Sequence, residues 1–522
     1  MDEVAPAPPA GAAKADVTAW LGVAAGAIGS LMATLDISIV NASLPTIQGE
    51  IGASSSEGTW IATAYLVAEI IIIPLTGWLE RVFGLRRFLL IAAILFTGFS
   101  VMCGLSSSLT MMILGRVGQG FTAGAMIPTA LTIIATRLPP NQQPVGTALF
   151  GLTVIMGPVL GPLVGGWLTE NFSWHYAFFV NVPISLILIT LLLVGLPKGK
   201  MQLGELVNAD WFGVVGLVLG LGGITVVLEE GHREQWFEYA LIWKLSYVTL
   251  LGFILIGIGQ FKAKRPVIKL ALLRQRSFAA VFVLAFVLGA VMFGTAYVIP
   301  QFLAAIANYN AMQAGQIVFI SGIPAMMMMP LFPILISRVD LRLIVGTGVF
   351  LLALSCYLDV TLTAQSRGGD FVETQLLRGL GTVFCMMFLN QAAISSVARE
   401  DAGDAAGLFN ASRNLGGSVG LAVLATLQDQ RWEFHRWTLH SALGANDLNV
   451  QDWVNQQAMS YGGGPDGLAA AFRSLDGMIL RDAMVMAFND DFMALTIGIL
   501  VVAPLVLLLR PLPKGYHAKA AH

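Results

Sequence analysis

Charge is scarce in this chain. Only 11% of its 522 residues are Asp, Glu, Lys or Arg, where soluble proteins carry about 25%. A deficit of that size excludes an ordinary soluble enzyme. The charges present nearly cancel, leaving a formal −2, so no nucleic-acid partner is expected. Cysteine is rarer still. Cys103, Cys356 and Cys385 all fall inside apolar runs. That excludes a disulfide framework or a cysteine-rich metal site, and the three read as small buried hydrophobes. The six histidines lie outside the apolar runs, and no HExxH, Ser/His pair or carboxylate-rich cluster occurs. No metal site and no cofactor are expected, and a membrane-embedded enzyme is the remotest reading.

Apolar residues make up 56% of the chain and come in long runs. A helix needs about 20 mostly apolar residues to cross the hydrocarbon core. That rule predicts an all-α membrane protein with fourteen spans. They lie near 19–43, 59–79, 88–107, 110–136, 146–168, 177–196, 211–229, 243–261, 278–304, 314–336, 343–363, 374–398, 405–427 and 487–509. Gly213, Gly216, Gly220, Gly222 and Gly223 weaken the seventh as an isolated helix.

An even number of spans puts both termini on one side. Lys14, Arg81, Arg86, Arg87, Arg137, Lys198, Lys200, the basic residues of 262–277, Arg338, Arg342, Arg399, Arg413, Arg510, Lys514 and Lys519 all fall on that side. The short loops of the other face, around 44–58, 108–109, 169–176 and 305–313, carry no lysine or arginine. The positive-inside rule makes the basic side cytoplasmic. Lys14 is the only basic residue before a first run too long for a signal-peptide core, so that run reads as an uncleaved span.

The expected organisation is a cytoplasmic, disordered Ala/Pro-rich tail over 1–18 and a six-helix bundle over 19–196. Two inserted helices and a basic linker follow over 197–277. A second six-helix bundle occupies 278–511, and a cytoplasmic tail ends the chain over 512–522. The second bundle includes a polar extracytoplasmic segment, 428–486, expected to hold amphipathic helices over the mouth of the protein. The two bundles echo each other. Arg116-Val117-Gly118-Gln119-Gly120 is similar to Arg378-Gly379-Leu380-Gly381, and Pro128 and Asn390 follow those arginines by twelve positions. Phe150 precedes Gly161 by eleven residues, as Phe409 precedes Gly420. Such repeats build many secondary transporters, which place their substrate sites between the repeats.

Several motifs resemble the major facilitator superfamily. Gly77-Trp78-Leu79-Glu80-Arg81-Val82-Phe83-Gly84-Leu85-Arg86-Arg87 is similar to the family's G-x-L-x-D-R-x-G-R-[KR] loop, with Glu80 for Asp and Leu85 for Arg. In the family this carboxylate belongs to a charge lock between the halves, a role the resemblance gives to Glu80. Gly157-Pro158-Val159-Leu160-Gly161-Pro162-Leu163-Val164-Gly165-Gly166 resembles the antiporter motif of family exporters. Glycines four apart allow close helix contact, and prolines bend a helix. Leu35-Asp36-Ile37-Ser38-Ile39-Val40-Asn41-Ala42-Ser43-Leu44-Pro45 is similar to the signature of the fourteen-span drug:proton antiporters. With Thr59-Trp60, Trp174 and Phe179-Val180-Asn181-Val182-Pro183, it looks like the EmrB-type branch.

The resemblance implies a major facilitator fold of two six-helix bundles with two extra helices between them. It implies multi-pass residence in a bacterial inner membrane and export of drug-like small molecules in exchange for protons, driven by the proton gradient. It also implies two partners, a periplasmic adaptor (EmrA-like) and an outer-membrane channel (TolC-like), with operation as a single component left open. A metabolite or fatty-acid exporter, or a proton symporter, of the same fold is the alternative.

A charge at the bilayer centre costs at least about 2.5–3.5 kcal/mol on insertion scales, so charges inside spans mark function. Asp36, Glu69 and Arg116 are the candidate proton-coupling residues. Asp36 and Arg116 lie at similar depth and are candidates to pair, while Glu69 has no cation at its depth except Arg116. Protonation of Asp36 or Glu69 would favour one facing of the cavity and substrate the other. Asp359 and Arg378 are less central, with Arg378 expected to snorkel outward. Asn41, Gln119, Phe293, Tyr297, Gln301, Met326, Phe388 and Asn390 are the candidate substrate-binding residues. Met326 opens a run of four methionines, Met326 to Met329, a side chain that re-packs around varied ligands.

Overall fold

The computed structural model describes residues 15–510 apart from Pro140, Lys200, Leu203, Asn208, Glu234, Lys264, Arg265, Met329, Pro330, Arg399, Glu400 and 444–446. The expected tails therefore lie almost wholly outside the described residues. Every long element is a helix. In the first half these are α1 (Val17–Ile51), α2 (Trp60–Phe83, with a 3₁₀ turn at Ile73–Leu75), α3 (Leu85–Gly104), α4 (Leu109–Arg137), α5 (Gln143–Asn171) and α6 (His175–Gly195). Two more follow, α7 (Trp211–Gly231) and α8 (Ala240–Lys262). The second half holds α9 (Arg276–Ala305), the short helices α10 (Ala311–Phe319), α11 (Gly322–Met328) and α12 (Phe332–Arg338), then α13 (Leu341–Leu358), α14 (Val372–Ser395), α15 (Ala402–Ala442), α16 (Leu448–Ser460) and α17 (Gly464–Val502).

Among the described residues, eleven helices are long and apolar enough to cross a membrane, against the fourteen expected. Two of the remaining segments are helical but fall outside that set: 146–168 within α5 and 405–427 within α15. The third, 314–336, is broken into α10, α11 and α12. Pro324 and Pro333 interrupt it, and proline removes the donor that a continuous helix needs.

The weak seventh span is a continuous helix, and its glycines explain why. A Cβ added at Gly252 of α8 would lie 2.1 Å from the Gly220 nitrogen of α7. The residues that weaken α7 alone are the surface on which α8 packs, as small residues do between membrane helices. The segment 428–486 departs from expectation only in how far the flanking helices reach into it. Within it α16 is a separate helix, packed on α17 through Val454, Ala458 and Ala471, while α15 runs unbroken to Ala442 and α17 already starts at Gly464. No breaker interrupts α15 past 427, so the polar stretch simply prolongs it.

In the first half α1 packs on α4, α5 and α6, and α4 packs on α2 and α3. In the second half α9 packs on α15, α14 and α17, and α13 on α14 and α17. The halves meet where α15 touches α2 and α4, and where α5 touches α10, α11, α12 and α14. Helix α7 rests on both α2 and α15.

The sequence repeat is realised as packing. In α5, a Cβ at Gly157 would meet the Thr34 Oγ1 of α1 at 2.0 Å, and one at Gly161 would meet the Ser38 Cβ at 2.1 Å. In α15, a Cβ at Gly416 would meet the Phe286 carbonyl of α9 at 1.9 Å, and one at Gly420 would lie 2.7 Å from Ala290. The same two-helix contact is built twice.

Candidate functional site

Asp36 is fully buried and bonded on every side. Its Oδ2 accepts from Arg116 Nη1 at 2.5 Å, and its Oδ1 accepts from Asn181 Nδ2 at 2.7 Å and Gln119 Nε2 at 3.0 Å. Arg116 Nε donates to the Ile61 carbonyl at 3.1 Å, and its guanidinium lies 4.2 Å from the Tyr65 ring centroid. Ser100 accepts from both Gln119 and Asn181. Helices α1, α2, α3, α4 and α6 all contribute. The pair foreseen between Asp36 and Arg116 is formed, with the lone pairs satisfied as a buried ion pair requires. Gln119, a substrate-binding candidate, is part of this network.

Glu69 has a different setting. It sits in α2 against the second half, fully enclosed. Gly124 of α4 makes room for it: an added Cβ there would lie 2.9 Å from Glu69 Cγ. Arg413 and Asn414 of α15 lie beside it, with Arg116 also within electrostatic reach. Asn414 in turn accepts from Arg413 Nε and Nη2 at 3.3 and 3.1 Å. A carboxylate of one half thus answers a cation of the other.

Arg413 corrects a sequence expectation. It was assigned to the basic face, yet it lies eleven residues into α15, about 17 Å from its start, and is only 6% exposed. Its compensation by Glu69 is non-local, so no local pattern revealed it. Arg378 is a second correction. Rather than snorkelling it is 4% exposed, with Nη2 on Asp359 Oδ2 at 2.5 Å and Nη1 on Gln375 at 3.1 Å. A carboxylate within reach removes the reason to seek water.

The basic face is tied shut between the halves. Arg81 Nη1 reaches both oxygens of Asp404 at 3.2 Å, and Lys269 Nζ lies 3.1 Å from Asp404 and also pairs with Asp401. Gly77 permits the approach, since a Cβ there would come within 2.5 Å of Asp404 Oδ1. Gly84 turns the chain at φ 77°, a conformation suited to glycine, and Arg86 Nη1 donates to the Leu196 carbonyl at 3.1 Å. Glu80 was expected to supply the lock's carboxylate. It lies beside Thr129 and Gly403, in reach of Arg81 and Asp404, while the ion pair to Arg81 is made by Asp404 of α15.

The opposite face is tied through α7. Glu230 accepts from Thr63 of α2 at 3.1 Å and pairs with Arg233, while Glu229 accepts from Ser418 of α15 at 3.1 Å and Trp236 Nε1 donates to Thr426 at 3.1 Å.

The other candidates scatter. Phe293 packs against Gly417, and Tyr297 lies beside Gln301 on α9. Phe388 is buried in a ring cluster with Phe332 and Phe384, and Asn390 is buried with its Oδ1 unbonded. Asn41 and Met326 are exposed, and Met329 lies outside the described residues. In the antiporter motif, Gly157, Gly161 and Gly165 contact α1, whereas nothing lies within 4 Å of a Cβ at Gly166. Pro162 is exposed, and the side chain of Pro158 lies outside the described set. All three cysteines are buried and free, and among the described residues no group of His, Cys, Asp or Glu is placed to hold a metal.

Two helical halves joined across a seam, each with buried charges, define a membrane transporter rather than an enzyme. The chain belongs to the major facilitator superfamily, whose family description matches residues 26–421, and within it to the EmrB-type branch. It is 31% identical over 480 residues to the colistin resistance protein EmrB of Acinetobacter baumannii, covering 92% of each chain. To the multidrug export protein EmrB of Escherichia coli it is 29% identical, covering 93% of this chain and 94% of that one. Among solved structures, the human organic anion transporter MFSD10 superposes with a TM-score of 0.58 at 14% identity, covering 94% of this chain and 100% of the other.

Proposed function

We propose that this protein is a proton-driven multidrug efflux transporter. It exports hydrophobic or amphipathic small molecules from a bacterial inner membrane, both termini cytoplasmic, by alternating access. The names of its relatives support the export of drugs, and the positive-inside pattern supports the orientation. The observation that carries proton coupling is Glu69 facing Arg413 and Asn414 across the seam. A proton on Glu69 removes the charge that Arg413 answers, so protonation and the packing of α2 on α15 are linked. Asp36, held by Arg116, Gln119 and Asn181, braces the first half and keeps α2 in register through the Ile61 carbonyl. Each proton moved down 100 mV supplies about 2.3 kcal/mol, roughly a fifty-fold concentration ratio at 1.36 kcal/mol per tenfold.

The long α15–α17 extension offers a surface for a periplasmic adaptor, and through it an outer-membrane channel. The test is ethidium transport in inverted vesicles. Glu69→Gln should insert at normal levels, lose uptake driven by a proton gradient, and retain ethidium exchange at equilibrium. Normal gradient-driven uptake by that variant would overturn the coupling role.

A further inference from the structure

We propose that Asp491 of α17 is a second proton-binding site, entered from the face opposite the Arg81–Asp404 lock; the proposal rests on the proton-driven reading above. Asp491 is fully buried, and among the described residues neither of its carboxylate oxygens has a hydrogen-bond partner. No other carboxylate described has both oxygens in that condition. A carboxylate stripped of water, cation and hydrogen bond is too costly to leave charged, so the seat accommodates the neutral acid. An ionisable side chain in such a seat inside a membrane is by default functional.

On the helix that carries Asp491 the neighbour is Asp490, of like sign. From α15 come Arg431 and His435, both engaged by Asp490, with His435 Nε2 2.7 Å from Asp490 Oδ2, together with Asp429. The end of α13 and the turn after it bring Cys356 and Asp359, the latter paired with Arg378 of α14, whose guanidinium lies 6.0 Å from the Phe492 ring centroid. From α9 comes Tyr297, within electrostatic reach of both Asp491 and Asp429 and beside Gln301. Helix α16 packs on a distant part of α17, near Ala471. Among the described residues every cation in the neighbourhood is therefore already paired, and none is left to neutralise Asp491.

The surroundings also supply a route. Asp490 and His435 form a hydrogen-bonded pair with Asp490 30% exposed, immediately before Asp491 in the chain. On α9, Tyr297 lies within electrostatic reach of Asp491, with Gln301 one turn farther toward the outer face. Asp491 lies eighteen residues from Leu509, about 27 Å from the basic face at 1.5 Å per residue. The step is a proton transfer alone: His435 or Asp490 takes a proton from water and passes it to an Asp491 carboxylate oxygen, and the proton leaves when the site is rewetted.

Infrared difference spectroscopy on the purified full-length protein, triggered by ethidium, reads the carboxyl directly. The protonated C=O band should be present in the wild type at neutral pH and lost in Asp491→Asn, with fewer protons released per transporter to a pH dye. Asp491→Leu, which suits the apolar seat, should fold and show the same loss, so the test survives if the asparagine variant does not fold. An unchanged band and unchanged release in either folded variant would overturn the Asp491 site while leaving Glu69 coupling intact. Ethidium binding to the wild type with no proton release would overturn both.

Discussion

Arg81 and Asp404, 323 residues apart in sequence, meet at 3.2 Å and close the basic face between the two halves. Asp404 is buried while Arg81 is 30% exposed, so water screens the bridge and about 1 kcal/mol bounds its worth. That is enough to shift a two-state balance roughly five-fold, at 1.4 kcal/mol per tenfold. Arg81→Ala should leave thermal stability nearly unchanged but increase labelling of a cysteine placed at the seam on that face. The swap Arg81→Asp with Asp404→Arg should reverse part of the increase.

The Asp36–Arg116 pair is a different case because nothing screens it. Arg116→Ala strands a buried carboxylate, and breaking such a pair costs about 3–5 kcal/mol. The variant should lose folded, monodisperse protein in detergent. Asp36→Asn with Arg116→Gln, which leaves neither charge alone, should recover much of the yield while remaining poor in export.

The antiporter motif separates into working and idle glycines. A Cβ at Gly161 would overlap Ser38, and overpacking costs about 1–3 kcal/mol; Gly161→Ala should reduce export and melting temperature together. Gly166→Ala adds a methyl where nothing lies within 4 Å and should match the wild type in both measurements.

Lys269 makes the basic-face tie insensitive to ordinary pH changes. Burial alone would lower its ammonium, but the hydrogen bonds and charges of Asp401 and Asp404 carry it above the usual lysine value. A group raised on folding stabilises fully below its unfolded value, about 10.4, and loses that contribution only as pH rises through the folded value. The stability difference between wild type and Lys269→Met should therefore stay flat from about pH 6 to 9 and shrink only in stronger alkali. A difference that changed near neutrality, in melting curves across pH, would refute the assignment.

Much of this protein was legible in its sequence, for local reasons. Long apolar runs with few charges can only be membrane helices, because a backbone in lipid must bond to itself. The repeat was visible in the spacing of Arg116 and Arg378 and of Gly161 and Gly420, since a helix contact needs small residues at fixed intervals. Asp36 and Glu69 stood out because charge inside a span is rare. What those charges do was decided only by tertiary structure. Arg413 read as an ordinary basic-face arginine until α15 set it opposite Glu69, Arg378 read as exposed until Asp359 reached it, and Asp404 was unremarked until Arg81 crossed the seam. Nothing in a local stretch of sequence encodes which distant helix will supply the counter-charge. Asp491 is the sharpest instance: what sets it apart is the absence of partners, and an absence becomes defined only once every neighbour is in place.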